Sequence, residues 1–219
     1  MTDAFTLLRR AADLLPDEAV SAGGVTVGDV HEEIGCREWE LALYLLIELG
    51  DSPAVPGPGP GPGPGPVPVP VAFWEILAEA ARQMMLDRSS RWCRWRARET
   101  EHGIFRATLT LLTPEEGGTR RSAFAGDGRL VPVWDIGLRT AGGERSTSIA
   151  RLWVESAESL GPGETGEVRL APLTPAHWTH LARGDVITMH EGRPVVGTAT
   201  VTEVWLPVPP PRTALLTVR

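Results

Sequence analysis

The chain has 219 residues, 42% of them hydrophobic and 22% charged, a balance that permits one large core or two small ones. All 21 basic residues are arginine, so Schiff-base chemistry and the lysine-bearing phosphate loop of nucleotide hydrolases are excluded. The net charge of −7 resides in residues 1–50, where ten acids stand against three arginines; this disfavours nucleic acid in that segment and suits a basic protein partner.

The N-terminal segment reads as helical. Phe5, Leu8, Ala11, Ala12 and Leu15 recur at helical spacing, with Thr2 or Asp3 as N-cap and Pro16 as a stop. A second helix is expected from Thr26 over Val27, Val30 and Ile34, broken at Gly35. A third spans Glu38 to Leu49, ends at Gly50-Asp51-Ser52-Pro53, and is apolar nearly all round, as befits the central helix of a small bundle. The chain opens without a basic stretch ahead of an apolar core, and no apolar run reaches bilayer length, so a cytoplasmic location and no membrane partner are expected. Asp29, Glu32, Glu33, Glu38 and Glu40 are the candidate contacts for a basic protein, a solvated helix face being the alternative reading of the same acids.

Val55 to Val71 places proline at every second position, which removes backbone donors and fixes φ. This predicts an extended Gly-Pro spacer at 53–71, inserted between helices of one acidic α-helical domain covering 1–102. From Ala72 to about Arg98 the helical pattern resumes through Phe73, Ile76, Leu77, Ala80, Ala81, Met84 and Met85. Its end, Arg88 to Arg98, interleaves five arginines with Trp92 and Trp95. That composition can neutralise phosphates and stack on bases, which makes Arg88, Arg91 and Arg94 the candidate nucleic-acid contacts. Packing of both tryptophans in the core, with the arginines paired to the acidic helices ahead of the spacer, accounts for the same residues. Cys36 and Cys93, the only cysteines, lack metal-site spacing and are expected to be buried thiols.

From Ile104 the period changes to two. Strands are expected at Ile104–Leu112, Thr119–Phe124, Leu130–Ile136, Thr147–Glu155, Gly166–Leu170, Asp185–His190 and Val195–Trp205, separated by glycine-bearing turns. In the last pair, Ile187 and Met189 point to one side and Val186, Thr188 and His190 to the other. His190-Glu191-Gly192-Arg193 then reverses the chain, as a hairpin closing a small antiparallel barrel over 104–206 would require. A proline-rich tail, 207–219, follows.

Several of these turns carry a resemblance. Phe105 to Leu112, Glu115-Glu116-Gly117-Gly118, Gly128-Arg129, Pro162-Gly163, Val168 to Pro175, and above all Gly184 to Val201 with Val196-Gly197 follow the order of motifs in the third, C-terminal domain of elongation factor Tu. The segment therefore resembles that barrel; with the helices ahead of it, the chain reads as an α+β protein, a small helical bundle followed by a six- or seven-stranded antiparallel β-barrel. The GxxxxGK[ST] and NKxD motifs of a GTPase are missing, so the resemblance implies a binding module without GTP. Arginine stands before Glu-Gly in that family and His190 stands there here, so no binding residues carry over. The stretch VGDVHEEIGCREWELALYLLIEL, with AFWEILAEAA after the spacer, resembles bacterial immunity proteins of the MafI type, which implies recognition of a basic toxin.

Reactive constellations are sparse. His177 and His180 form an HxxH that with His190 makes a three-histidine zinc site conceivable, but no accompanying carboxylate pattern supports it, and no metal is expected. Glu115 and Glu116 read as an exposed hairpin tip, no GxSxG occurs, and neither cysteine has a histidine nearby in sequence. Neither a catalytic residue nor a cofactor is expected. The leading function is a non-enzymatic binding or adaptor protein, with immunity as its specific form. A translation-related RNA- or tRNA-binding protein comes second, and an enzyme with a site between helices and barrel third.

Overall fold

The computed structural model describes residues 2–51, 69–155 and 157–206. Five α-helices are followed by a closed six-stranded antiparallel barrel. The helices are α1 (Ala4–Ala12), α2 (Val27–Cys36), α3 (Trp39–Asp51), α4 (Val71–Gln83) and α5 (Asp87–His102). Asp3 caps α1 by accepting from the Thr6 amide at 2.8 Å. Thr26 and Asp29 cap α2 reciprocally, each side chain taking the other's backbone N–H. Leu8, Ile34, Leu43, Leu46, Phe73, Trp74, Leu77 and Cys93 meet in one core, so helices on both sides of the spacer share it. Most of the spacer, residues 52–68, and the tail from 207 lie outside the described residues. Gly50 lets α3 approach α4: a Cβ there would lie 2.6 Å from Trp74 Cη2 and 2.7 Å from Phe73 Cε1.

The barrel order is β1 (Ile104–Leu111), β6 (Thr165–Pro172), β4 (Arg145–Val154), β3 (Val133–Arg139), β7 (Val186–His190) and β8 (Val195–Trp205), and β8 returns to β1. The expected final hairpin is present, with Ile187 opposite Ala199 and Met189 opposite Gly197. Ile187 and Met189 face the core, while Val186 faces solvent. Trp178 fills the barrel, delivered by a 3-10 turn, Pro175–Trp178, and set edge-on to Phe105 at 5.7 Å and Trp134 at 6.4 Å.

Local detail departs from the sequence expectations in several places. Gly35 lies inside α2, which ends instead at Arg37 in the left-handed region (φ 65°), where the Glu38 amide reaches back to the Glu33 carbonyl at 2.9 Å. The same closure splits the single helix expected over 72–98: Met85 has φ 60°, and the Leu86 amide bonds the Ala81 carbonyl at 2.9 Å. In both cases the backward bond satisfies terminal carbonyls without glycine. Of the strand expected at 119–124 only Phe124 pairs, as part of β2 (Phe124–Ala125) against β5 (Ser159–Leu160), a two-stranded ribbon outside the barrel. Glu115 and Glu116 belong to a 3-10 turn capped by Thr113 rather than to a hairpin tip. Cys36 is exposed; only Cys93 is buried.

Candidate functional site

The functional question centres on α5, because its arginine-tryptophan face meets the barrel rather than the helical core. Trp92 and Trp95 pack on Trp153 of β4, with ring centroids 5.0 and 5.7 Å away. Trp95, Trp153 and Ala171 form a separate buried cluster at this junction. Burying one tryptophan removes about 150–250 Å² from water, roughly 4–6 kcal/mol, so this contact is a principal tie between α5 and the barrel.

Around the tryptophans runs a chain of alternating charges. Asp51 at the end of α3 accepts from Arg96 Nε at 2.6 Å and from Trp92 Nε1 at 3.0 Å. Arg96 also pairs with Glu99, which accepts from Trp95 Nε1 at 2.8 Å and from Arg169 Nη1 of β6 at 2.6 Å. Arg169 continues to Glu155, Glu155 to Arg106 at 3.0 Å, and Arg106 to Glu203 at 2.8 Å. Glu99 is 2% and Arg169 7% exposed, so the centre of the chain is desolvated and needs each partner. Burial works against the Arg96 cation, but the charges of Glu99 and Asp51 outweigh it and hold its pKa above the ordinary guanidinium value.

Two clefts open where α5 meets the barrel. One, of about 470 Å³, is lined by Tyr44, Ile47, Arg88, Trp92, Trp153 and Arg169, with the Arg88 guanidinium 5.5 Å from the centre of the Trp153 ring. The other, of about 380 Å³, gathers Arg91, Arg94, Arg98, Arg129 and Arg151 around Asp127. Asp127 receives Arg91 at 3.2 Å and Arg129 at 2.8 Å. Burial pushes its carboxyl up, but the hydrogen bond and charge of Arg129, joined by the charge of Arg91, prevail and hold it below the ordinary carboxylate value.

The sequence candidates are thus dispersed. Arg88 lines the first cleft, while Arg91 and Arg94 line the second, on the same helix. The pairing of these arginines with the acidic helices holds only for Arg96 and Asp51; Arg91 pairs with the barrel's Asp127, and Arg98 donates to the Pro172 carbonyl at 2.8 Å. Among the acids, Asp29 serves the α2 cap, where the Thr26 backbone N–H lowers its pKa. Glu33 is half-buried, and Glu40 accepts from Tyr44 at 3.2 Å. Glu32 and Glu38 are exposed and make no side-chain ion pair among the described residues. The acids are accompanied on α3 by exposed Trp39, Leu41 and Tyr44.

The histidines do not converge. His177 is exposed, His180 Nε2 lies 2.8 Å from the Ile136 carbonyl, and His190 is buried between Thr188 Oγ1 and the Arg193 carbonyl. No cluster of three or more metal-ligating side chains occurs among the described residues. No described helix is long and apolar enough to cross a membrane. Sequence reading missed Glu99, Asp127, Trp153 and Arg169. The one local signal was Arg169 itself, a charge set among Val168, Leu170 and Ala171, all of which are buried. The chain matches no protein-family model and no curated protein sequence.

Proposed function

We propose that the protein is a non-catalytic binding protein whose α2–α3 face recognises a basic protein partner. One observation carries this reading: the carboxylates of Glu32 and Glu38 stand exposed and uncommitted to ion pairs among the described residues, beside exposed Trp39, Leu41 and Tyr44. Arg91, Arg96 and Arg169 at the junction, in contrast, are paired with internal carboxylates. Exposed carboxylates on helices that also expose apolar side chains suit a cationic protein, because the charges steer encounter while the apolar side chains supply dehydrated contact. Such a surface fits an immunity-type role of the kind the resemblance to MafI-type proteins implies. The barrel then serves as a scaffold or second binding module, in keeping with its resemblance to the third domain of elongation factor Tu. The resemblance to a domain of a cytoplasmic translation factor also favours a cytoplasmic setting.

The test is affinity capture with the full chain, followed by reconstitution with the captured protein in purified form. A basic partner should associate about tenfold more slowly with a variant carrying E32Q, E33Q, E38Q and E40Q, and salt should affect the variant less. D29N is kept separate because the Asp29 carboxylate also accepts from the Thr26 amide in the α2 capping box. An unchanged association rate in the fourfold variant would overturn the reading.

A further inference from the structure

The cleft around Asp127 carries more positive charge than its own contacts use. Three of its arginines come from α5, one from the loop after β2 and one from β4, so folding alone assembles them. Asp127, the one carboxylate in the lining, is shared by Arg91 and Arg129. Arg98 spends a donor on the Pro172 carbonyl, a neutral acceptor that leaves its charge uncompensated. Arg151 makes no side-chain hydrogen bond or ion pair among the described residues, and Arg94, whose charge reaches Glu79 without an ion pair, has no carboxylate within ion-pair distance there. Buried Nε atoms of Arg91 and Arg98 also lack an acceptor among the described residues.

Five guanidinium groups against one carboxylate leave the lining four charges in excess, in a chain whose overall charge is −7. A basic composition therefore cannot explain the cluster. The floor consists of Trp95 and Trp153, both 5% exposed or less, so repulsion among the cations is poorly screened on that side. Gly128 lies against both rings: a Cβ there would sit 3.0 Å from Trp153 and 3.1 Å from Trp95, and φ is 79°. The floor is thus closely packed.

We propose that this cleft binds a small phosphorylated molecule through a group of two or more phosphate charges. The planar fork of arginine matches phosphate oxygens in pairs, and a polyanion offsets a cluster that the protein leaves unbalanced. The volume, about 380 Å³, lies in the range of small-molecule sites. A nucleic-acid strand would need the basic surface to continue past the cleft. The other cleft on α5 instead has its Arg169 already committed to Glu99 and Glu155, and residues 1–50 carry ten acids against three arginines.

Inorganic pyrophosphate titrated calorimetrically into the full chain tests the site, with a single-stranded oligonucleotide in parallel. Pyrophosphate should bind with one-to-one stoichiometry and raise the melting temperature. R94Q and R151Q alter exposed side chains and leave the Asp127 pairs intact; each should weaken binding about tenfold while circular dichroism stays native. R88Q, on the other cleft, should bind as the parent does. Absence of saturable pyrophosphate binding, or equal binding by R94Q and R151Q, overturns the proposal. Tighter binding of the oligonucleotide, with a salt dependence reporting many phosphates, also overturns it and assigns the cleft to a nucleic-acid track. None of these outcomes depends on the acidic α2–α3 face.

Discussion

Replacing Glu99 with glutamine removes the central charge of the seam while keeping the side chain's size. Its side chain is 1% exposed, and it accepts from Trp95 Nε1 at 2.8 Å, Arg169 Nη1 at 2.6 Å, and Arg96. Breaking a buried ion pair from one side costs about 3–5 kcal/mol, because the remaining charge is stranded. Here Arg96 keeps Asp51 and Arg169 keeps Glu155, so the lower end, about 3 kcal/mol, is expected. For a chain of this size that corresponds to a fall in melting temperature of about 6–12 °C. Thermal and urea unfolding followed by far-ultraviolet circular dichroism and by tryptophan fluorescence measure it. The appropriate comparison is E79Q, which breaks the exposed Glu79–Arg82 pair, with side chains 40% and 51% exposed. That change should leave the melting temperature close to the parent's, because solvent screens an exposed pair. If E99Q proves no more damaging than E79Q, the seam does not hold α5 to the barrel.

Asp127 sets a pH dependence: its folded pKa lies below the unfolded value of 3.8, so its contribution is fully present above about pH 4 and is lost as pH falls through the folded value. D127N should be less stable than the parent near neutrality, and the gap should narrow as pH falls below 3.8 towards the folded value; a gap that stays constant in urea titrations would contradict the assignment. Cys93 is fully buried, and burial followed by the charge of Asp51 pushes its thiol up to about 12. A thiol reagent should therefore label the native chain once, at exposed Cys36, and reach Cys93 only after denaturant is added; rapid double labelling of the native protein would show that the helical core opens readily.

The legible parts of this protein were those written in short-range pattern. Asp3 and Thr26 marked helix starts because a capping side chain acts within three residues of itself. The alternation of Ile187 and Met189 with Val186 and Thr188 marked the closing hairpin because a strand buries every second residue. The break at Met84–Leu86 was not legible, since neither proline nor glycine announces it and the left-handed turn at Met85 is supported by a backbone bond to Ala81. The strand expected at 119–124 failed for a related reason. β1 finds its neighbours in β6 and β8, so the segment after it is left with only the short ribbon to β5.

Of the candidate sites, the sequence disclosed the acids of α2 and α3 and the arginines of α5, because charge and helical spacing are local properties. It also determined the classes of element, the change of period at Ile104, and the concentration of negative charge in residues 1–50. Only the tertiary structure decided which charges meet. Arg91 and Asp127, Glu99 and Arg169, and Trp95 and Trp153 are brought together by packing α5 across β4 and β6. An arginine side chain carries no record in its neighbours of the carboxylate it will find. That partner is chosen by the buried faces of distant elements, and the same choice leaves Arg94 and Arg151 facing one cleft with charge to spare.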